Sequence, residues 1–134
     1  VKATPFNEQE DLEPIPFTGE VRQLALDMKG AGLEWNPHVG CFVWDRKGRI
    51  DAPSPFPHDV YFILNMNRFL SLFGKVEEMK RSLVWLPTWT QCMRILRDHG
   101  HYDQDGERAV LAETGGDLEG LYRVLLNRLR EDVT

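Results

Sequence analysis

From Ala52 to Pro57 every second residue of this 134-residue chain is a small or aromatic residue followed by proline: Ala52-Pro53-Ser54-Pro55-Phe56-Pro57. Proline holds φ near −65° and biases the residue before it to extended geometry. No helix and no interior strand passes through such a segment, so it is a stiff connector between the elements on either side of it. Its last proline suits the first turn of a helix, which the pattern places over 57–73 and ends at Gly74. In that helix Phe62, Met66, Phe69 and Phe73 line one face, with Ile63 and Leu70 beside them, while Val60, Leu64 and Leu72 point elsewhere. The apolar surface is then wider than the usual stripe of about 100°. A helix of this kind sits at the centre of a core or faces a second chain. The pattern therefore predicts a homodimer with Val60, Leu64 and Leu72 in its surface.

Before the connector, residues 1–17 carry Pro5, Pro14 and Pro16 and several acids. They read as an extended acidic arm with Phe6, Ile15 and Phe17 as anchors, followed by a single globular domain over 18–134. Thr18 is the expected N-cap of a helix over 19–31, where Val21, Leu24, Ala25, Met28 and Ala31 recur at helical spacing and Gly30 and Gly32 stop it. Val39 to Trp44 is a β-rich run. With the polar turn Asp45-Arg46-Lys47-Gly48 and the following Arg49-Ile50 it predicts a short hairpin.

After the long helix, Lys75 to Ser82 reads as a short polar helix and Leu83 to Leu86 as a brief strand. Pro87-Thr88 opens a helix over 88–98, closed by Gly100. His101 to Gly106 reads as loop, and Arg108 to Glu113 is too short for periodicity to separate strand from helix. Gly115-Gly116 breaks the chain, Asp117 caps, and a last helix to about Arg130 carries the stripe Leu118, Leu121, Tyr122, Leu125 and Leu129. Four or five helices with one small antiparallel hairpin or sheet make an α+β domain, with a mainly-α fold as second choice.

The net charge of −5 is unevenly spread. Residues 1–20 hold five acids against one base, residues 21–98 eleven bases against eight acids, and residues 99–134 eight acids against four bases. An acidic total opposes non-specific nucleic-acid binding, which needs Lys and Arg to neutralise phosphates. The weakly basic centre also holds all four tryptophans, Trp35, Trp44, Trp85 and Trp89. Tryptophans line grooves for peptides, sugars or quaternary amines, and equally fill small cores. Core packing is favoured for most of them, with Trp85 or Trp44 the first to reach the surface. The candidate binding surface is accordingly Trp44, Arg46, Lys47, Arg49, Trp85 and Trp89.

His38 and Cys41 have a His-x-x-Cys spacing that supplies two of the four ligands zinc takes. A second pair has to come from His99 and His101, or from His58 with Asp59, and no paired motif supports either. His38, Cys41 and His58 stay as an alternative metal or nucleophilic site, against the simpler reading of Cys41 as a small buried hydrophobe. His101 to Gly106 fails as a calcium loop, with His101 at position 1 and Ala112 at position 12, where the loop needs an oxygen ligand and a Glu. Cys92 reads as core, and Glu77 and Glu78 as a solvated helix face. Gly30-Ala31-Gly32 follows a helix rather than a strand, the wrong order for a phosphate loop, so no cofactor is expected. A helix-turn-helix with Gln91, Arg94 and Arg97 outward is opposed by the long apolar linker Leu83 to Thr88.

Two cysteines are too few for a disulfide framework, Val1 to Glu13 has no apolar core of a signal peptide, and Val60 to Phe73 is interrupted by Asn65, Asn67 and Arg68. The expectation is a cytoplasmic domain acting by contact, as a homodimeric interaction or regulatory module. Its rivals are a small metal-binding protein or enzyme around His38, Cys41 and His58, and a nucleic-acid binder through the basic centre.

Overall fold

The computed structural model describes residues 17–100 and 106–133. Residues 1–16 of the expected arm over 1–17, including Phe6 and Ile15, and the loop with His101 lie outside the described residues, as does the calcium-like segment up to Asp105. Among the described residues the order is α1 (Gly19–Gly30), β1 (Phe42–Trp44), β2 (Val60–Phe62), α2 (Met66–Phe73), α3 (Val76–Ser82), β3 (Val84–Leu86), α4 (Trp89–Asp98), α5 (Gly106–Thr114) and α6 (Leu118–Val133). This is an α+β fold, six helices around one three-stranded antiparallel sheet of order β2-β1-β3.

Local chemistry sets most helix starts. Thr18 Oγ1 accepts from Val21 N at 3.2 Å and starts α1. Thr88 and Gln91 form a capping box, with Thr88 Oγ1 accepting from Gln91 N and Gln91 Oε1 accepting from Thr88 N, and α4 starts there. Asp117 Oδ1 accepts from Glu119 N at 3.0 Å at the head of α6. The ambiguous stretch 108–113 lies within the helix α5.

The helix expected over 57–73 does not form as one element. His58 and Asp59 have φ of 62° and 61°, and Val60 N bonds Pro57 O across them. A tight turn therefore occupies the place of the first helical turn. Val60-Tyr61-Phe62 then pairs with β1 in the register Phe42↔Phe62, Val43↔Tyr61, Trp44↔Val60. The helix starts only at Met66, behind Asn65, whose side chain accepts from Asn67 N and Arg68 N. The β-branched and aromatic triplet prefers the pleated surface that β1 offers, and Asn65 supplies the missing cap.

The hairpin expected between Val39–Trp44 and Arg49-Ile50 is also replaced. Asp45, 1% exposed, accepts from Arg49 N at 2.9 Å and Ile50 N at 2.7 Å through its carboxylate. Those two amides are thus turned inward and are not ladder donors. The partners of β1 come from farther along: β2 on one side, and β3 on the other with Phe42↔Leu86, Val43↔Trp85 and Trp44↔Val84.

Alternation splits the sheet into two faces. Val60, Val84 and Leu86, with Phe42 and Trp44, pack against α1, α4 and α6 in the larger core, which includes Met28, Cys92, Leu121, Tyr122 and Leu125. Val43, with Tyr61 and Trp85, faces a smaller core built from Trp35, Cys41, Ile63, Phe69, Phe73, Met79 and Leu83, the helices here being α2 and α3. In the larger core the Tyr122 hydroxyl donates to Pro87 O at 2.6 Å. Burial pushes the Cys92 thiol and the Tyr122 phenol up from their ordinary pKa values, so both stay uncharged in the core at neutral pH.

Candidate functional site

The sheet carries a hollow on each side. Beside β3, α1 ends and Gly32, at φ 94°, turns the chain so that Leu33, Glu34 and Trp35 run back past the sheet. Trp35 lies nearly parallel to Trp85 of β3, 14° between planes and 6.4 Å between centroids. With Ala25, Lys29, Leu33, Glu34, Lys80 and Leu83 these rings bound a hollow of about 240 Å³. Trp35 is 6% exposed and Trp85 half-buried, and the indole N–H of each is shielded from solvent and meets no acceptor among the described residues.

Lys29 fastens this corner. Its ammonium donates to Arg81 O at 2.9 Å and Leu83 O at 3.0 Å, joining the last turn of α1 to the end of α3. An ammonium has three N–H donors, so one is left over. Burial lowers the Lys29 pKa from the ordinary lysine value, and the nearby charges of Lys47 and then Arg46 lower it further. The basic turn therefore stands within electrostatic reach of the Lys29 ammonium.

The six residues expected to form one binding surface do not share one. Arg46 and Lys47 are exposed near Lys29, and Trp85 lines the hollow. Trp44 is on the opposite face of the sheet, packed on the larger core with the Arg22 guanidinium 5.4 Å from its ring centre. Trp89 packs against that same core. Arg49 is engaged elsewhere: it donates to Glu78 Oε1 and Ser82 Oγ, both at 2.9 Å, and lies 5.3 Å from the Phe73 ring centre. The hydrogen bond from Arg49, against an opposing desolvation, holds the Glu78 carboxyl below its ordinary pKa. Gln91 is spent on its capping box, which removes it from any outward reading face of α4.

Sequence reasoning missed Lys29, Leu33, Glu34, Trp35 as a surface-lining ring, Lys80 and Leu83. Trp35 and Trp85 are fifty positions apart, and no local spacing links them. The one local signal was Gly32, whose positive φ redirects the chain toward Trp35.

His38 and Cys41 do meet. Cys41 Sγ is 3.4 Å from His38 Nδ1 and 3.6 Å from Nε2. Near-equal distances to both nitrogens put the sulfur over the ring or at the edge between them, in line with neither lone pair. Nδ1 is also 2.8 Å from Asn36 O, and the Cys41 residue is fully buried. That arrangement packs a thiol rather than activating one. His58 is exposed in the turn before β2, and among the described residues no group of three His, Cys, Asp or Glu side chains is placed to hold a metal ion.

Beside β2 the second hollow, about 480 Å³, runs between the proline connector and α2. Its lining takes Pro53 and Pro55 from the connector, Tyr61 and Phe62 from β2, and Leu64, Asn65, Arg68, Phe69 and Leu72 from α2 and the turn before it. The connector is fixed by Tyr61, whose hydroxyl donates to Ala52 O at 2.6 Å, and by Ser54, whose hydroxyl donates to Val60 O. Leu64 is 74% and Leu72 46% exposed. Val60 leaves the expected dimer surface: at 2% exposure it is in the larger core, because its strand pairing turns it inward.

No helix among the described residues is long and apolar enough to cross a membrane. Comparison with protein-family models, with curated proteins and with solved structures gives no match to this chain.

Proposed function

We propose that this protein acts by contact, as an interaction or regulatory module that pairs with a second copy of itself through the β2 side. The observation that carries this reading is that knob and hole lie together. Leu64, 74% exposed, belongs to the lining of an apolar hollow of about 480 Å³, large enough for a leucine side chain. A two-fold interface uses the same patch on both partners, so a patch with its own knob beside its own hole is self-complementary. The walls add shape that does not need ordering on contact, since two prolines and two hydrogen bonds already hold the connector. Arg68 is the one charged side chain of the lining, which keeps like-charge repulsion between copies small.

A cytoplasmic setting suits this reading, since both cysteines are free and buried. Sedimentation of the full chain tests it. The expected result is a dimer that Leu64→Asp converts to monomer without loss of helicity, because a carboxylate cannot be desolvated in that hollow without a partner. A wild-type chain that remains monomeric at about millimolar concentration, the weak end of useful association, sinks the reading.

A further inference from the structure

The geometry points to the hollow beside β3 as a docking site for an acidic peptide segment that inserts one large apolar side chain against Leu33, Leu83 and Trp85. This goes beyond the self-association reading and uses a separate surface.

Size comes first. Small-molecule sites run to about 300–1,000 Å³. At about 240 Å³ this hollow is smaller, room for one leucine or phenylalanine side chain with the peptide passing over its mouth. Charge comes second. Lys29 has one donor unspent, Lys80 lines the wall, and Arg46 and Lys47 stand close enough to act on Lys29. None of these four makes an ion pair among the described residues, whereas Arg49 and Arg81 are both bound to Glu78. Against them stands Glu34 alone in the wall. A segment with carboxylates flanking its apolar anchor matches that distribution, and the free Lys29 donor gives one carboxylate a charge-assisted hydrogen bond.

Third, the indole N–H groups of Trp35 and Trp85 are buried without acceptors. A buried donor left unmade is a standing cost in the free protein, and because both rings line the hollow their N–H signals report an occupant there. Nucleic acid fits less well. The two indoles lie against each other and Trp35 is almost wholly covered, so no base enters between them.

The test is a titration of the full ¹⁵N-labelled chain with a blocked pentapeptide, a central phenylalanine with two acids on each side, read at the two indole N–H signals. Saturable shifts at Trp35 and Trp85 are expected. Affinity falls at least tenfold when glycine replaces the central phenylalanine. It falls at least tenfold again with Lys80→Glu, an exposed helix position whose change leaves the fold intact by circular dichroism, and it weakens as salt rises. Indole signals that do not move overturn the proposal, as does equal binding of the glycine peptide. Tighter binding of a five-residue oligothymidylate at the same indoles overturns it in favour of nucleic acid. Leu64→Asp leaves the titration unchanged; if it weakens binding as much as Lys80→Glu, the peptide sits elsewhere and the assignment fails.

Discussion

The two sides of the sheet are built from similar aromatic material and reach opposite chemical characters. Beside β2, Tyr61 and Phe62 meet prolines and leucines, and the hollow has a single charge. Beside β3, Trp35 and Trp85 meet the ends of two helices, and helix ends bring unpaired carbonyls that attract a lysine. What packs against an aromatic floor therefore decides the character of the hollow. A stiff loop leaves it apolar, and a junction of helix termini makes it basic.

The largest expected effect comes from the residue that serves both sides. Asp45 directs Ile50 toward the β2 hollow and carries Arg46 and Lys47 to the β3 side. Asp45→Ala orphans the amides of Arg49 and Ile50, and at about 1–3 kcal/mol for each unmade bond the expected loss is about 2–6 kcal/mol. Urea unfolding measures it, and backbone chemical shifts should move at both hollows. A change confined to one side would show that the turn does not couple them.

Lys29→Met acts on the β3 side alone. It removes two hydrogen bonds from a charged donor, an expected loss of about 1.5–3 kcal/mol, and leaves the self-association of the β2 side as it was. The pH dependence has a definite sign. The folded pKa of Lys29 lies below its unfolded value, so between the two the unfolded chain binds more protons, and wild-type stability gains with rising pH. Unfolding curves taken from pH 8 up to the ordinary lysine value of 10.5 should therefore show wild type gaining on Lys29→Met. A constant difference across that range would remove Lys29 as the buried base.

The smallest effect is a stabilisation on the β2 side. His58 holds a positive φ that L residues adopt at a cost of roughly 1–2 kcal/mol, partly offset by the greater entropy glycine loses on folding. His58→Gly should raise the melting temperature by a few degrees, a net gain of about 0.5–1 kcal/mol, with the indole signals of the β3 side unmoved. A lowered melting temperature would mean that the imidazole makes a contact worth more than the strain.

How much was legible in the sequence follows from how local each instruction is. Thr18, Thr88 and Asp117 cap helices whose apolar stripes lie within a few turns, so α1, α4 and α6 could be read directly. Buried Leu118, Leu121, Tyr122, Leu125 and Leu129 match the stripe read from spacing. The 57–73 stretch misled because Phe62, Met66, Phe69 and Phe73 do recur at helical spacing, while the strand identity of Val60–Phe62 depends on β1, where Tyr61 pairs with Val43 eighteen positions earlier. Asp45 was read as one polar turn residue among four, and its burial comes from the tertiary fold. The hollow beside β3 was least legible. Its rings come from either side of the connector, and its lysines resemble ordinary solvated helix charge until the carbonyls they meet are known.

The strand order has a consequence for a chain made from its N-terminus. β1, the middle strand, is synthesised first, and both of its neighbours come later, the second only at Val84–Leu86. Until then β1 has an open edge, and closing it requires loops of unequal length, the β3 contact being the slower by the entropy of the longer one. A nascent or truncated chain that stops short of Leu86 thus exposes Phe42-Val43-Trp44 as a sticky strand. Synthesis past that point closes the edge of β1, while the larger apolar face of the sheet stays open until α4 and α6 follow.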